Sequence, residues 1–93
     1  MPNKVLICDD DREILTMLNL VLRSEDLEIM VEPESILLID RLLAFKPDIL
    51  LIDIWMPGLS GDQVVKKIRQ MPVFDNLKIY MMSASHDGDV IAR

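Results

Sequence analysis

The chain has 93 residues, 51% of them hydrophobic, with 16 acidic and 10 basic side chains and a formal net charge of −6. That describes one small domain with enough apolar side chains for a packed core, which excludes disorder, and an acidic balance that argues against direct nucleic-acid binding, where a basic footprint is needed. A single cysteine excludes an internal disulfide and fits a reducing compartment. Residues 1–4 show no leader pattern and no apolar run reaches the ~20 residues of a membrane helix, so the expectation is a cytoplasmic protein with no membrane partner.

Lys4-Val5-Leu6-Ile7-Cys8 is a short apolar run that ends in Asp9-Asp10-Asp11. It predicts a buried strand with carboxylates at its carboxyl end, and it makes Cys8 a buried, inert thiol. From Arg12 to Arg23 the apolar residues fall at Ile14, Leu15, Leu18, Val21 and Leu22, the spacing of a helix with one apolar face. Asp11 is placed to cap its first turn. Glu28 to Glu32 reads as a short edge strand closed by Pro33. Ser35 to Phe45 carries Ile36, Leu37, Leu38, Ile39, Leu42 and Leu43, a very apolar helix that stops ahead of Pro47.

The stretch from Pro47 to Gly61 has the strongest signal. Ile49-Leu50-Leu51-Ile52 is an unbroken aliphatic run ending on Asp53, and it predicts a strand buried on both faces. A loop with Pro57 and Gly58 leads to a third helix opening at Gly61 or Asp62. Its Val64, Val65 and Ile68 point inward, and Lys66, Lys67 and Arg69 face water. Pro72 to Asn76 is a loop, and Leu77 to Met82 is a fourth strand ending in Ser83-Ala84-Ser85. His86-Asp87-Gly88 reads as a surface turn and Asp89 to Arg93 as the opening of a further helix.

Strands and helices alternate, so the fold class is α/β, a doubly wound parallel sheet with right-handed crossovers. Ligands bind such sheets at the carboxyl ends of their strands. Asp9 and Asp10, Asp53, and Ser83 all stand at such ends. Two carboxylates ~4 Å apart repel by about 4 kcal/mol at an effective dielectric of 20. A fold that gathers three of them usually holds a cation, and an all-oxygen donor set favours Mg²⁺ over zinc. Beside such an ion Asp53 could attack phosphorus to give an acyl phosphate, Ser83 could donate a hydrogen bond to a phosphoryl oxygen, and Ala84 leaves room for the others. Plainer readings stand beside these: a capping cluster for Asp9-Asp10-Asp11, a loop-capping role for Asp53, and an ordinary strand-end hydroxyl for Ser83.

Taken together, Val5-Leu6-Ile7-Cys8-Asp9-Asp10-Asp11, the run from Pro47 through Asp53-Ile54-Trp55-Met56-Pro57-Gly58 to Gly61, and Met82-Ser83-Ala84 resemble the receiver domain of two-component response regulators. The resemblance covers essentially the whole chain as one domain. It implies a flavodoxin-like sheet of strand order 2-1-3-4. It implies that Asp53 accepts a phosphoryl group from a sensor histidine kinase. It gives Asp9, Asp10 and Asp53 as Mg²⁺ ligands (Asp10 directly, Asp9 partly through water), together with the backbone carbonyl of Trp55, and makes Ser83 a switch hydroxyl. Such a module is not an enzyme, though it can assist its own phosphorylation and dephosphorylation. The chain departs from the family pattern in lacking a fifth strand, a fifth helix and the lysine at that strand's end, so output relay is in question. Lys78 stands at the wrong edge to replace that lysine. A missing fifth strand would leave Ile79 to Met82 as an open apolar edge, and the expectation is a homo-oligomer through it. Two other readings are an aspartyl-phosphate hydrolase, which usually needs an aspartate where Trp55 stands, and a shortened receiver fragment with only assembly behaviour.

Overall fold

The computed structural model describes residues 3–23, 26–56, 60–82 and 90–92. The first strand, β1 (Asn3–Cys8), is followed by helix α1 (Arg12–Leu22) and strand β2 (Leu27–Glu32). A 3₁₀ turn (Ser35–Leu37) runs into α2 (Leu38–Phe45), then come β3 (Ile49–Asp53) and α3 (Gly61–Arg69). A second 3₁₀ turn (Pro72–Phe74) leads to β4 (Lys78–Met82) and the short β5 (Val90–Ala92). The sheet order is β2-β1-β3-β4-β5. The first four strands are parallel, as the alternation of elements predicts.

Two expectations about the end of the chain need correction. Residues 90–92 form a strand, where a helix opening was expected, and it lies antiparallel on β4 with Tyr80 opposite Ala92 and Met82 opposite Val90. The edge of β4 is therefore paired, and a homo-oligomer built on that edge has lost its basis. A β4 hydrogen-bonding row that would otherwise be unpaired is satisfied from within the chain.

Side chains alternate across the strands, so the sheet has two apolar faces. Leu6, Cys8, Leu50, Ile52, Ile79 and Met81 form one, packed under Leu38, Leu42 and Phe45 of α2 and Val64, Val65 and Ile68 of α3. On the other face Val5, Ile7 and Met82 pack with Leu15 of α1, while Ile49, Leu51, Leu18 and Leu22 are only partly buried. Two helices seal the first face and one helix covers the second. Val21, expected on the inner side of α1, is 71% exposed. At 3.6 residues per turn it stands about 120° round the helix from Leu15, outside the stripe of Leu15, Leu18 and Leu22. Leu43 is exposed as well, because the inner stripe of α2 is taken by Leu38, Leu42 and Phe45, and Ile36 is exposed on the 3₁₀ turn ahead of it.

The helix ends follow local chemistry. Asp11 caps α1 as expected, its Oδ1 accepting from the N–H of Glu13 at 2.9 Å. Helix α2 ends on Lys46, which takes a left-handed conformation (φ 54°) and donates its N–H to the Leu42 carbonyl. Arg69, read from the sequence as a water-facing residue, also donates to the carbonyls of Phe74 and Leu77 and so ties down the connection to β4. No helix among the described residues is long and apolar enough to cross a membrane.

Candidate metal and phosphoacceptor site

Parallel register brings the strand-end acids together. Cys8 pairs with Ile52, so the residues that follow each, Asp9 and Asp53, come to the same rim. One carboxylate oxygen from each of Asp9, Asp10 and Asp53 lies within 4.8 Å of the other two. Asp9 is fully buried, Asp53 is 3% exposed and Asp10 is open to water. The three acids that sequence reasoning grouped are thus one cluster.

The hydrogen bonding of this cluster is incomplete. Asp9 Oδ1 accepts from the Asp11 N–H at 2.9 Å. Asp9 Oδ2 is buried and has no hydrogen-bond partner. Asp53 Oδ1 accepts from the Trp55 N–H at 3.2 Å. Burial, reinforced by the charges of Asp53, Asp10 and Asp11, pushes the Asp9 carboxyl up to about 6, against the Asp11 N–H that favours its ionised form. Burial also raises Asp53, with Asp10 adding repulsion and the Trp55 N–H opposing it. Buried anionic oxygens without donors are costly, and a cation relieves both the desolvation and the repulsion. An orphaned buried carboxylate oxygen within an all-oxygen cluster fits a hard divalent ion such as Mg²⁺.

The other predicted residues divide. Trp55 is 54% exposed beside the cluster, and its backbone N–H donates to Asp53. Ser83 and Ala84 lie outside the described residues, as does His86. Met82, the last residue of β4, pairs with Asp53. Lys78 pairs with Ile49 at the opposite rim, in agreement with the expectation that it cannot reach the acids. Cys8 is buried as expected, and burial first, then the charges of Glu32, Asp9, Asp53 and Asp10, push its thiol up to about 12. Its Sγ packs 3.8 Å from the Met56 Sδ.

Two residues here escaped sequence reasoning. Glu32 is 3% exposed at the end of β2, its Oε1 paired with Arg41 Nε at 2.8 Å and its Oε2 accepting the Glu34 N–H. An acid at a strand end nine positions from an arginine gives no local signal of this pairing. Gly61 packs directly on the backbone that follows Asp53: its N–H donates to the Ile54 carbonyl at 2.9 Å, and a Cβ there would strike the Asp53 carbonyl oxygen. The sequence marks it as a helix opening and as the end of the motif run from Pro47, but not as a contact of the Asp53 backbone.

Known proteins are similar to this chain in sequence and in fold. A response regulator from Chloroflexus aurantiacus superposes with a TM-score of 0.82 at 33% identity, over 87% of this chain and 66% of that one. Sporulation initiation phosphotransferase F of Bacillus subtilis is 28% identical over 91 residues, spanning 98% of this chain and 72% of the relative. The sensor histidine kinase TmoS of Ectopseudomonas mendocina is 31% identical over 84 residues, of which this chain spans only 8% of the relative's length. The family model for the response regulator receiver domain matches residues 5–93, which includes every acid of the cluster. This chain belongs to the response regulator receiver domain family.

Proposed function

We propose that this receiver domain takes a phosphoryl group from a phosphohistidine of a sensor histidine kinase onto Asp53, with Mg²⁺ held by Asp9, Asp10, Asp53 and the backbone carbonyl of Trp55. The observation that supports it most is the unpartnered, buried Oδ2 of Asp9 inside the three-carboxylate cluster. Bound there, magnesium supplies the positive charge that offsets the acids and the oxygens of an incoming phosphoryl group.

The chain's own residues do the rest. The Trp55 N–H holds one oxygen of Asp53 and so orients the carboxylate for in-line attack. As the new P–O bond forms, the P–N bond of the donor breaks and its electron pair returns to the imidazole nitrogen. Ser83 then donates its hydroxyl to a phosphoryl oxygen, and the small Ala84 leaves space beside it. The domain acts as a phosphoacceptor and not on a separate substrate of its own. The setting is cytoplasmic, in keeping with a lone buried thiol.

Incubation with acetyl phosphate and Mg²⁺, followed by intact mass, tests this. The wild-type protein gains one phosphoryl group, while Asp53→Asn gains none at that position. A wild-type protein that folds but takes no phosphoryl group from acetyl phosphate or from a phosphohistidine donor would end the proposal.

A further inference from the structure

The first residue of α3 is tied to the phosphoacceptor through one peptide plane. The Gly61 N–H donates to the Ile54 carbonyl at 2.9 Å. That carbonyl and the Trp55 N–H belong to the same rigid peptide unit and point in opposite directions from it. The Trp55 N–H donates to Asp53 Oδ1 at 3.2 Å. One plane is therefore gripped at both ends, by the helix at its oxygen and by the Asp53 carboxylate at its hydrogen. The Ile54 N–H is held in turn by the Met82 carbonyl at 2.8 Å, which pins the residue to β4. Gly61 can come this close only because it has no side chain. A Cβ would overlap the Asp53 carbonyl oxygen and stand 2.9 Å from the Ile54 Cα. Both obstacles are backbone atoms, which cannot swing aside as the tip of a side chain can.

We infer that Gly61 is a positioning residue for Asp53: the depth at which α3 seats on the Asp53–Ile54 backbone sets the tilt of the Ile54–Trp55 peptide, and that tilt sets the direction of the Asp53 carboxylate. The inference rests on the phosphoacceptor reading above. It concerns how the carboxylate is aimed, since Gly61 itself touches no reacting atom.

Magnesium added to the folded protein is measured by titration calorimetry, with the fluorescence of Trp55, the one tryptophan of the chain, followed alongside. Gly61→Ala is expected to weaken magnesium binding about tenfold or more, the usual size of an outer-shell effect. In the metal-free protein it shifts the amide resonance of Trp55. Ser60→Ala serves as the comparison. Ser60 donates its N–H to Gln63 Oε1 and its hydroxyl to Asp62 Oδ1 at the start of α3, so its loss lowers thermal stability while magnesium affinity and the Trp55 amide stay as in the wild type. Should Gly61→Ala fail to fold, glycolic acid at position 61 removes the N–H that the Ile54 carbonyl accepts, while also weakening the Ser60 carbonyl that accepts from Val64, and is expected to weaken magnesium binding in the same direction. The inference is overturned if Gly61→Ala or the ester binds magnesium as tightly as the wild type, or if Ser60→Ala loses as much affinity as Gly61→Ala. A wild-type protein that takes up neither magnesium nor a phosphoryl group overturns the parent reading and this one with it. A wild type that takes up both, beside an equally competent Gly61→Ala, overturns this one alone.

Discussion

A carboxyl group with an ordinary value of 3.8 and a native value of about 6 links folding to pH. Between those values the native state holds a proton at Asp9 that the unfolded chain has released. Native stability from this group is therefore full below about pH 4, falls as pH rises towards 6, and is flat above. At about 1.4 kcal/mol per tenfold change in acidity, the loss at pH 7 is on the order of 3 kcal/mol. Asp9→Asn removes the titration, so its melting temperature is expected to gain on the metal-free wild type between pH 4 and pH 7. Magnesium should raise the wild-type melting temperature at pH 7 and leave Asp9→Asn nearly unmoved, because only a ligand bound to the native state shifts the balance. Equal responses to magnesium in the two proteins would show that Asp9 is no ligand. The acids themselves were readable in the sequence because each ends an apolar run, and a parallel sheet sends such ends to one rim. The Glu32–Arg41 pair and the seat of Gly61 were not, since both depend on contacts between elements that no local pattern encodes.

Among the elements, α2 carries a strained exit. Lys46 holds φ 54°, a conformation that costs a side-chain-bearing residue about 1–2 kcal/mol and costs glycine almost nothing. Lys46→Gly is expected to stabilise the domain by about 1 kcal/mol, partly offset by the freedom glycine gains when unfolded, and to raise the denaturant midpoint without changing the slope. A lowered midpoint would show that the left-handed cap is not strained. Among the described residues, sequence reading located the three α-helices and the four parallel strands, because their apolar periods are long enough to distinguish. It failed on residues 90–92, where five residues cannot separate a helix start from a strand and pairing with β4 decides the outcome. It also counted Val21 as inward, since apolar character at the margin of a helical face does not reveal how wide the covered stripe is.

Across the whole molecule, the unequal sealing of the two sheet faces divides the stability. Neighbours on β3 make the comparison direct: Leu50 is fully buried beneath α2 and α3, and Leu51, pointing the other way, is only partly covered. Leu50→Ala is expected to cost about 3–4 kcal/mol, within the range for cavity formation in a packed core. Leu51→Ala should cost about half as much or less, because little of a cavity is left behind. Equal losses in chemical denaturation would mean that the two faces share the load evenly.

The buried thiol of Cys8 has a practical consequence of its own. It sits in the innermost strand but one, one residue ahead of Asp9, and its proton is held too tightly for the folded protein to alkylate. A maleimide or iodoacetamide can capture it only when β1 separates from its neighbours, so the pace of labelling becomes a stopwatch for that opening. Slower labelling on adding magnesium would register occupancy of the rim from inside the barrier, without any reporter being attached to the site.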